Sequence, residues 1–191
     1  MEITFYRTLA NKLADAVIQN QEYSEAEEKR IRYGLVCIFS DLYKFILTLV
    51  VFSCFLLTKE CLISFIPILL LRPFLAGYHA KSELMCIFMS FATLAISILV
   101  GNMNIIPPMF QVLAILILPV TGILIAPVRT QKVQENIKKI IESKILTAVL
   151  TILLLIFDNY FLANQIIFLS VSIIYILALY QLAKNFITNN A

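Results

Sequence analysis

The chain has 191 residues, 61% hydrophobic and 14% charged, with a net charge of +3 and a mean hydropathy of +0.91. Soluble domains run near 45–50% apolar and about 25% charged, so a water-soluble globule is excluded and lipid must cover much of the outside. Four cysteines at irregular spacings and a single histidine exclude a disulfide framework and a zinc-ligand pattern.

A single domain, residues 1–191, is expected from the length. Met1–Asn20 lacks the basic start and unbroken apolar core of a secretory signal peptide. Instead, Ile3, Tyr6, Leu9, Leu13 and Val17 recur every three to four residues, with Arg7, Asn11, Lys12 and Asp15 between them. That spacing predicts an amphipathic helix. It lies along the membrane surface or packs on the protein's own cytosolic face. The charged stretch QEYSEAEEKRIRYG follows, so residues 1–32 form a cytosolic, interfacial N-terminal segment.

Six apolar segments then fill residues 33–183: Tyr33–Thr58, Cys61–Gly77, Leu84–Gly101, Ile105–Val128, Ile141–Phe157 and Tyr160–Ala183. A hydrocarbon core takes ~20 helical residues. The second segment is short and contains Pro67, Arg72 and Pro73. Pro107–Pro108 ends an uncharged turn between the third and fourth, and DNY separates the fifth from the sixth. The expected fold class is all-α: a polytopic membrane protein with six transmembrane helices and an N-terminal amphipathic helix.

The cations set the expected orientation. With both termini inside, Arg7, Lys12, Lys29, Arg30, Arg32, Arg72, Lys81, Lys184 and the five cations of a basic loop at 129–144 all face the cytosol. Lys59 alone falls outside, and Lys44 lies within the first span. This follows the positive-inside rule and puts the segment from Arg72 to Cys86 at the cytosolic side of the cell membrane.

That segment, LLLRPFLAGYHAKSELMC, holds the residues that need a reason, because ionisable groups are costly at membrane depth. A cysteine nucleophile works as its thiolate and needs a neighbouring base or cation. With one histidine, any Cys/His pair must use His79. Cys54 and Cys61 fall near the outer face and Cys37 is distant in sequence, whereas Cys86 follows His79 by seven residues. On one straight helix seven residues rise ~10.5 Å, far beyond the ~3 Å that a nucleophile and its base require. The pair therefore requires a bend between Ala80 and Leu84, with Ser82 as N-cap of the next helix and Lys81 adding positive charge. The plain alternative is that Cys86 is a small core hydrophobe and His79 a loop residue. Arg72 either snorkels to the interface or binds a carboxylate or oxyanion. A metal site built from His79, Cys86, Met85 and Met89 would need convergence from different helix faces and is the weaker reading. No metal or cofactor is expected, and nothing points to nucleic acid.

The stretch RPFLAGYHAKSELMC resembles the active segment of the AgrB family, the accessory gene regulator B peptidases: an Arg, a Gly-x-His, and a Cys seven residues after the His. Here these are Arg72, Gly77, His79 and Cys86, with Ser82 also matching. EEKRIRYGL before the first span and IAPV at Ile125–Val128 are similar to further family features. The stretch RTQKVQENIKK that follows departs from the family's usual Lys-Pro pair. The resemblance implies a membrane-embedded cysteine endopeptidase, with Cys86 as nucleophile and His79 as general base and acid. It would cleave the C-terminal tail from an AgrD-like precursor peptide through an acyl-enzyme thioester and promote closure to a thiolactone or lactone quorum-sensing peptide. It further implies a homodimer; Arg129, Lys132, Lys138 and Lys139 either hold such a precursor's acidic tail or serve only as the positive-inside signal. The rival class is a non-enzymatic membrane protein, such as a small transporter subunit or assembly factor. A transporter would more typically carry its polar sites at mid-membrane, whereas here they gather at one face.

Overall fold

The computed structural model describes residues 5–19, 23–75, 83–128, 137–162 and 164–190. Among them the regular elements are seven α-helices: α1 Phe5–Ile18, α2 Glu25–Cys54, α3 Thr58–Leu75, α4 Glu83–Asn102, α5 Pro108–Ile125, α6 Ile137–Phe161 and α7 Ile166–Asn190. The chain divides into two compact units, one of Met1–Thr58 with Lys81–Ile87, the other of Lys59–Ala80 with Phe88–Ala191.

In the first unit, α2 starts where the sequence offers a capping box. Ser24 Oγ accepts the Glu27 N–H, and the Ser24 N–H donates to Glu27 Oε2 at 2.9 Å. Two otherwise orphaned donors are satisfied reciprocally. The 30 residues of α2 make a rod about 45 Å long, against a hydrocarbon core of about 30 Å, so its charged first turns extend beyond the lipid.

Helix α1 packs antiparallel along α2. Tyr6 stacks on Tyr43 with ring centroids 6.2 Å apart, and Asp15 pairs with Arg32 at 2.6 Å. The buried face is Tyr6, Ala10 and Ala14, which shares Tyr6 with the apolar stripe read in the sequence but not Leu9, Leu13 or Val17. Two alanines let the helix backbones approach, and the stacked tyrosine closes one end. Leu9, Leu13 and Val17 of the expected stripe remain 40–47% exposed. α1 therefore has two apolar faces, one spent on α2 and one left for the surroundings.

The second unit is a helical bundle whose core gathers Leu71 and Leu75 of α3, Ala126 and Val128 beyond α5, Leu155 of α6, and Val171, Tyr175 and Ala178 of α7. Polar groups lock it at both ends. At one end, Ser64 and Ser170 share a hydrogen bond of 2.8 Å. There too the Gln165 side chain grips the Ile106 backbone twice, donating to its carbonyl at 2.7 Å and accepting its N–H at 3.0 Å. At the other end, the Val128 N–H donates to the Phe74 carbonyl at 3.1 Å, just after a cis Ala126–Pro127 peptide. These bonds hold α3 alongside α7, with Ser64 level with the start of α7 and Phe74 beside the end of α5. Gly101 packs directly on Ile166, where any Cβ would come within 2.8 Å of backbone atoms.

Two expectations need correction. Among the described residues five helices, not six, are long and apolar enough to cross a membrane: α2, Leu84–Asn102 of α4, α5, α6 and Ile166–Ile187 of α7. α3 falls short because its 18 residues include Lys59, Glu60 and Arg72, and charge at membrane depth is expensive. The turn expected at DNY also lies further on. α6 continues to Phe161, and Asp158 is 2% exposed, with its carboxyl oxygens accepting the Ile167 and Phe168 N–H groups at 3.2 and 3.1 Å. A residue read as part of a connection is instead the cap of α7.

Candidate active site

Helix α4 begins at Glu83, where the polar KSE gives way to the apolar LMCIFMSF. Cys86 therefore stands in its first turn, half-buried. Backbone N–H groups at a helix start lack intrahelical partners and carry partial positive charge, an environment that favours an anionic sulfur. α4 supplies no other ionisable side chain from Leu84 to Asn102.

The group facing the sulfur comes from α2, within the same compact unit. Lys44 Nζ donates to Cys86 Sγ at 3.5 Å. The Lys44 side chain is only 14% exposed, and Asp41 Oδ1 stands 3.9 Å from its nitrogen with that carboxylate half in the open. One turn on, the Thr48 hydroxyl donates to the Lys44 carbonyl at 2.7 Å, which anchors α2 where the lysine leaves it. The other cysteines have different surroundings: Cys37 hydrogen-bonds to Tyr33, Cys54 is exposed at the end of α2, and Cys61 is fully buried on α3.

The remaining expected site residues are spread more widely. His79, with Gly77, Lys81 and Ser82, lies outside the described residues, as do Arg129 and Lys132. Arg72 is in the last turn of α3, half-buried between the fully buried Leu71 and Leu75. Lys138 and Lys139 belong to the exposed first turn of α6, and Lys144 to its third. Lys44 is the group that sequence reasoning missed. An ionisable residue inside an apolar run is itself a signal of function. Its partner, however, is 42 positions away, and no local spacing reveals such a pairing.

A family model, Accessory gene regulator B (AgrB), matches residues 10–184. The chain belongs to the AgrB family. That match takes in every helix that bears a candidate residue, including α2 with Lys44 and α4 with Cys86. No curated protein and no solved structure matches alongside it. As an AgrB member with five apolar helices of spanning length, the protein is a multi-pass membrane protein. Membership also carries a role in membrane processing of a quorum-sensing propeptide.

Proposed function

We propose that the protein is a cysteine endopeptidase that removes the C-terminal tail of an AgrD-like precursor and promotes closure of the remaining peptide into a ring. The observation that carries this reading is Cys86: a half-buried thiol in the first turn of α4, with an ammonium at 3.5 Å, in a chain of the AgrB family. A non-enzymatic assembly factor would have no use for that arrangement.

The chemistry runs in two transfers. The Cys86 sulfur attacks the scissile carbonyl, and His79 receives the thiol proton and passes it to the leaving amine. The C–N bond breaks, the tail departs, and a thioester holds the acyl part on Cys86. A thiol or hydroxyl of the precursor then attacks the thioester, its proton returns to the Cys86 sulfur, and a thiolactone or lactone is released. Because the acyl group stays activated as a thioester, ring closure need not proceed from a free acid. A site at the membrane limits competition from water.

In this reading Cys86 faces the cytosol. α4 runs from Cys86 at one end to Gly101 at the other, packed on Ile166 at the α6–α7 turn. Lys138, Lys139 and Lys144 lie in the opening turns of α6, at the end of that helix away from Asp158. Arg129, Lys132, Lys138 and Lys139 bind the precursor's acidic tail, and Arg72 and Lys81 serve as supporting cations for a carboxylate or oxyanion. A homodimer belongs to the reading through the family likeness alone.

The test is cleavage of a precursor peptide by purified protein in lipid nanodiscs. Cys86→Ala and His79→Ala should accumulate normally and leave the precursor uncut, while wild-type protein forms a hydroxylamine-sensitive acyl adduct on Cys86. Cleavage at the wild-type rate by Cys86→Ala would remove the nucleophile assignment.

A further inference from the structure

A lysine within an apolar helix needs a reason, and α2 offers little of its own. From Leu42 to Cys54, Lys44 is the single charged residue of the helix. Burying an ammonium without a partner is costly, yet its side chain is largely covered. Two groups approach its nitrogen. Asp41 does so at 3.9 Å, the outer limit of an ion pair, from a carboxylate that is half exposed. Cys86 Sγ is closer, at 3.5 Å, in a half-buried position. Exposed pairs contribute little, whereas desolvated ones are much stronger, and the sulfur is the nearer and less exposed of the two partners.

We propose that Lys44 is the cation that stabilises the Cys86 thiolate once its proton has passed to His79, which carries that proton to the leaving amine. The proposal rests on Cys86 being the nucleophile and deepens that reading by dividing the labour. In a simple Cys/His pair one imidazolium must both stabilise the thiolate and protonate the departing nitrogen. Here the two tasks fall to different elements. Lys44 comes from α2 and acts on the sulfur across 3.5 Å, and the partial positive charge of the α4 N-terminus adds to it. The charged groups facing the sulfur on α2 are Lys44 and, behind it, Asp41. On α1, Asp15 is engaged by Arg32, and Arg7 stands 6.0 Å over the Tyr6 ring.

The experiment measures thiolate chemistry separately from peptide cleavage. Full-length protein in nanodiscs, with Cys37, Cys54 and Cys61 replaced by Ala, is alkylated by iodoacetamide, and Cys86 modification is followed by mass spectrometry. At pH 7 Lys44→Met should slow alkylation by about tenfold, because the thiolate is the reactive form. Lys44→Arg should restore most of the rate. His79→Ala should alkylate nearly as fast as the parent although it cleaves no precursor. At about pH 10, where thiols ionise without help, Lys44→Met and the parent should converge. A deficit that persists at pH 10 would mean altered access instead of lost charge stabilisation, and would overturn the proposal. So would an unchanged Lys44→Met rate at pH 7, or a His79→Ala rate as slow as that of Lys44→Met. None of these outcomes depends on precursor cleavage, so the nucleophile assignment stands or falls separately, on Cys86→Ala.

Discussion

Asp158 and Phe168 are joined across the α6–α7 turn, Oδ2 of the aspartate accepting the Phe168 N–H at 3.1 Å while Oδ1 takes that of Ile167 at 3.2 Å. The last turn of one helix thus caps the first turn of the next, and the acid is nearly sealed from its surroundings. Satisfied backbone donors at a buried helix start are a requirement in an apolar medium, where no water substitutes. Asp158→Ala should destabilise the bundle by about 1–3 kcal/mol, the cost of leaving buried donors without acceptors. Asp158→Asn, which keeps one acceptor oxygen, should lose less. Thermal unfolding in detergent micelles, followed by circular dichroism, measures both. Equal stability of Asp158→Ala and wild type would show that the cap is dispensable.

Gly122 and Tyr175 should be energetically coupled. A Cβ at Gly122 would come within 2.5 Å of the Tyr175 hydroxyl, which itself pairs with Thr151 at 2.8 Å. Gly122→Ala should cost about 1–3 kcal/mol through overpacking, and Tyr175→Phe about 1 kcal/mol through its lost hydrogen bond. The double variant removes the atom that the new methyl strikes, so its loss should fall short of the sum by about 0.5–2 kcal/mol. Strict additivity in the same unfolding assay would show that the methyl is accommodated some other way.

No such rescue is open at Gly101. The nearest atoms there are the Cα and N of Ile166, both at 2.8 Å, and a backbone cannot be trimmed by substitution. Gly101→Ala should lower the melting temperature, and Ile166→Ala in the same chain should not restore it.

The two faces of α1 should respond in opposite ways. Ala10 and Ala14 are wholly buried, while Leu9 and Leu13 are nearly half exposed. Ala10→Leu forces the helices apart and should free α1 for limited proteolysis. Leu9→Ser with Leu13→Ser should leave the α1–α2 packing intact and weaken only contacts made outside this chain. Proteolysis of nanodisc samples, read by mass spectrometry, separates the two cases.

The cations of residues 129–144 should act together. Exposed pairs contribute about 0–1 kcal/mol each, so single changes do little, and a cluster works by steering that salt screens. Changing Arg129, Lys132, Lys138 and Lys139 together to Gln should raise KM for full-length precursor several-fold at low salt, with much less effect on a precursor whose tail acids are neutralised. Processing kinetics, with cysteine labelling to verify that the stretch keeps its side of the membrane, provide the check. An unchanged KM with orientation preserved would place tail recognition elsewhere.

Some of this molecule was legible in the sequence for simple reasons. Composition alone demands lipid on the outside, and long apolar runs bounded by charge or proline demand helices, since a helix satisfies its own backbone in an apolar medium. The start of α4 near Cys86 is a local signal and was read locally, whereas the capping box at Ser24 is equally local but its stretch was read as a charged connection. Family likeness was legible too, because it lives in short spacings such as that from Gly77 to Cys86. Other features were not. Beside Tyr6, α1 buries Ala10 and Ala14 in place of Leu9, Leu13 and Val17, because close approach to α2 depends on residue size as well as hydrophobicity. Asp158 looks like a connecting residue until α7 is seen to begin against it. Lys44 looks like an isolated charge in an apolar run until α4 brings Cys86 to 3.5 Å. Periodicity is fixed by neighbours along the chain, whereas partners 42 positions apart are chosen by how helices pack, and only the tertiary structure decides that.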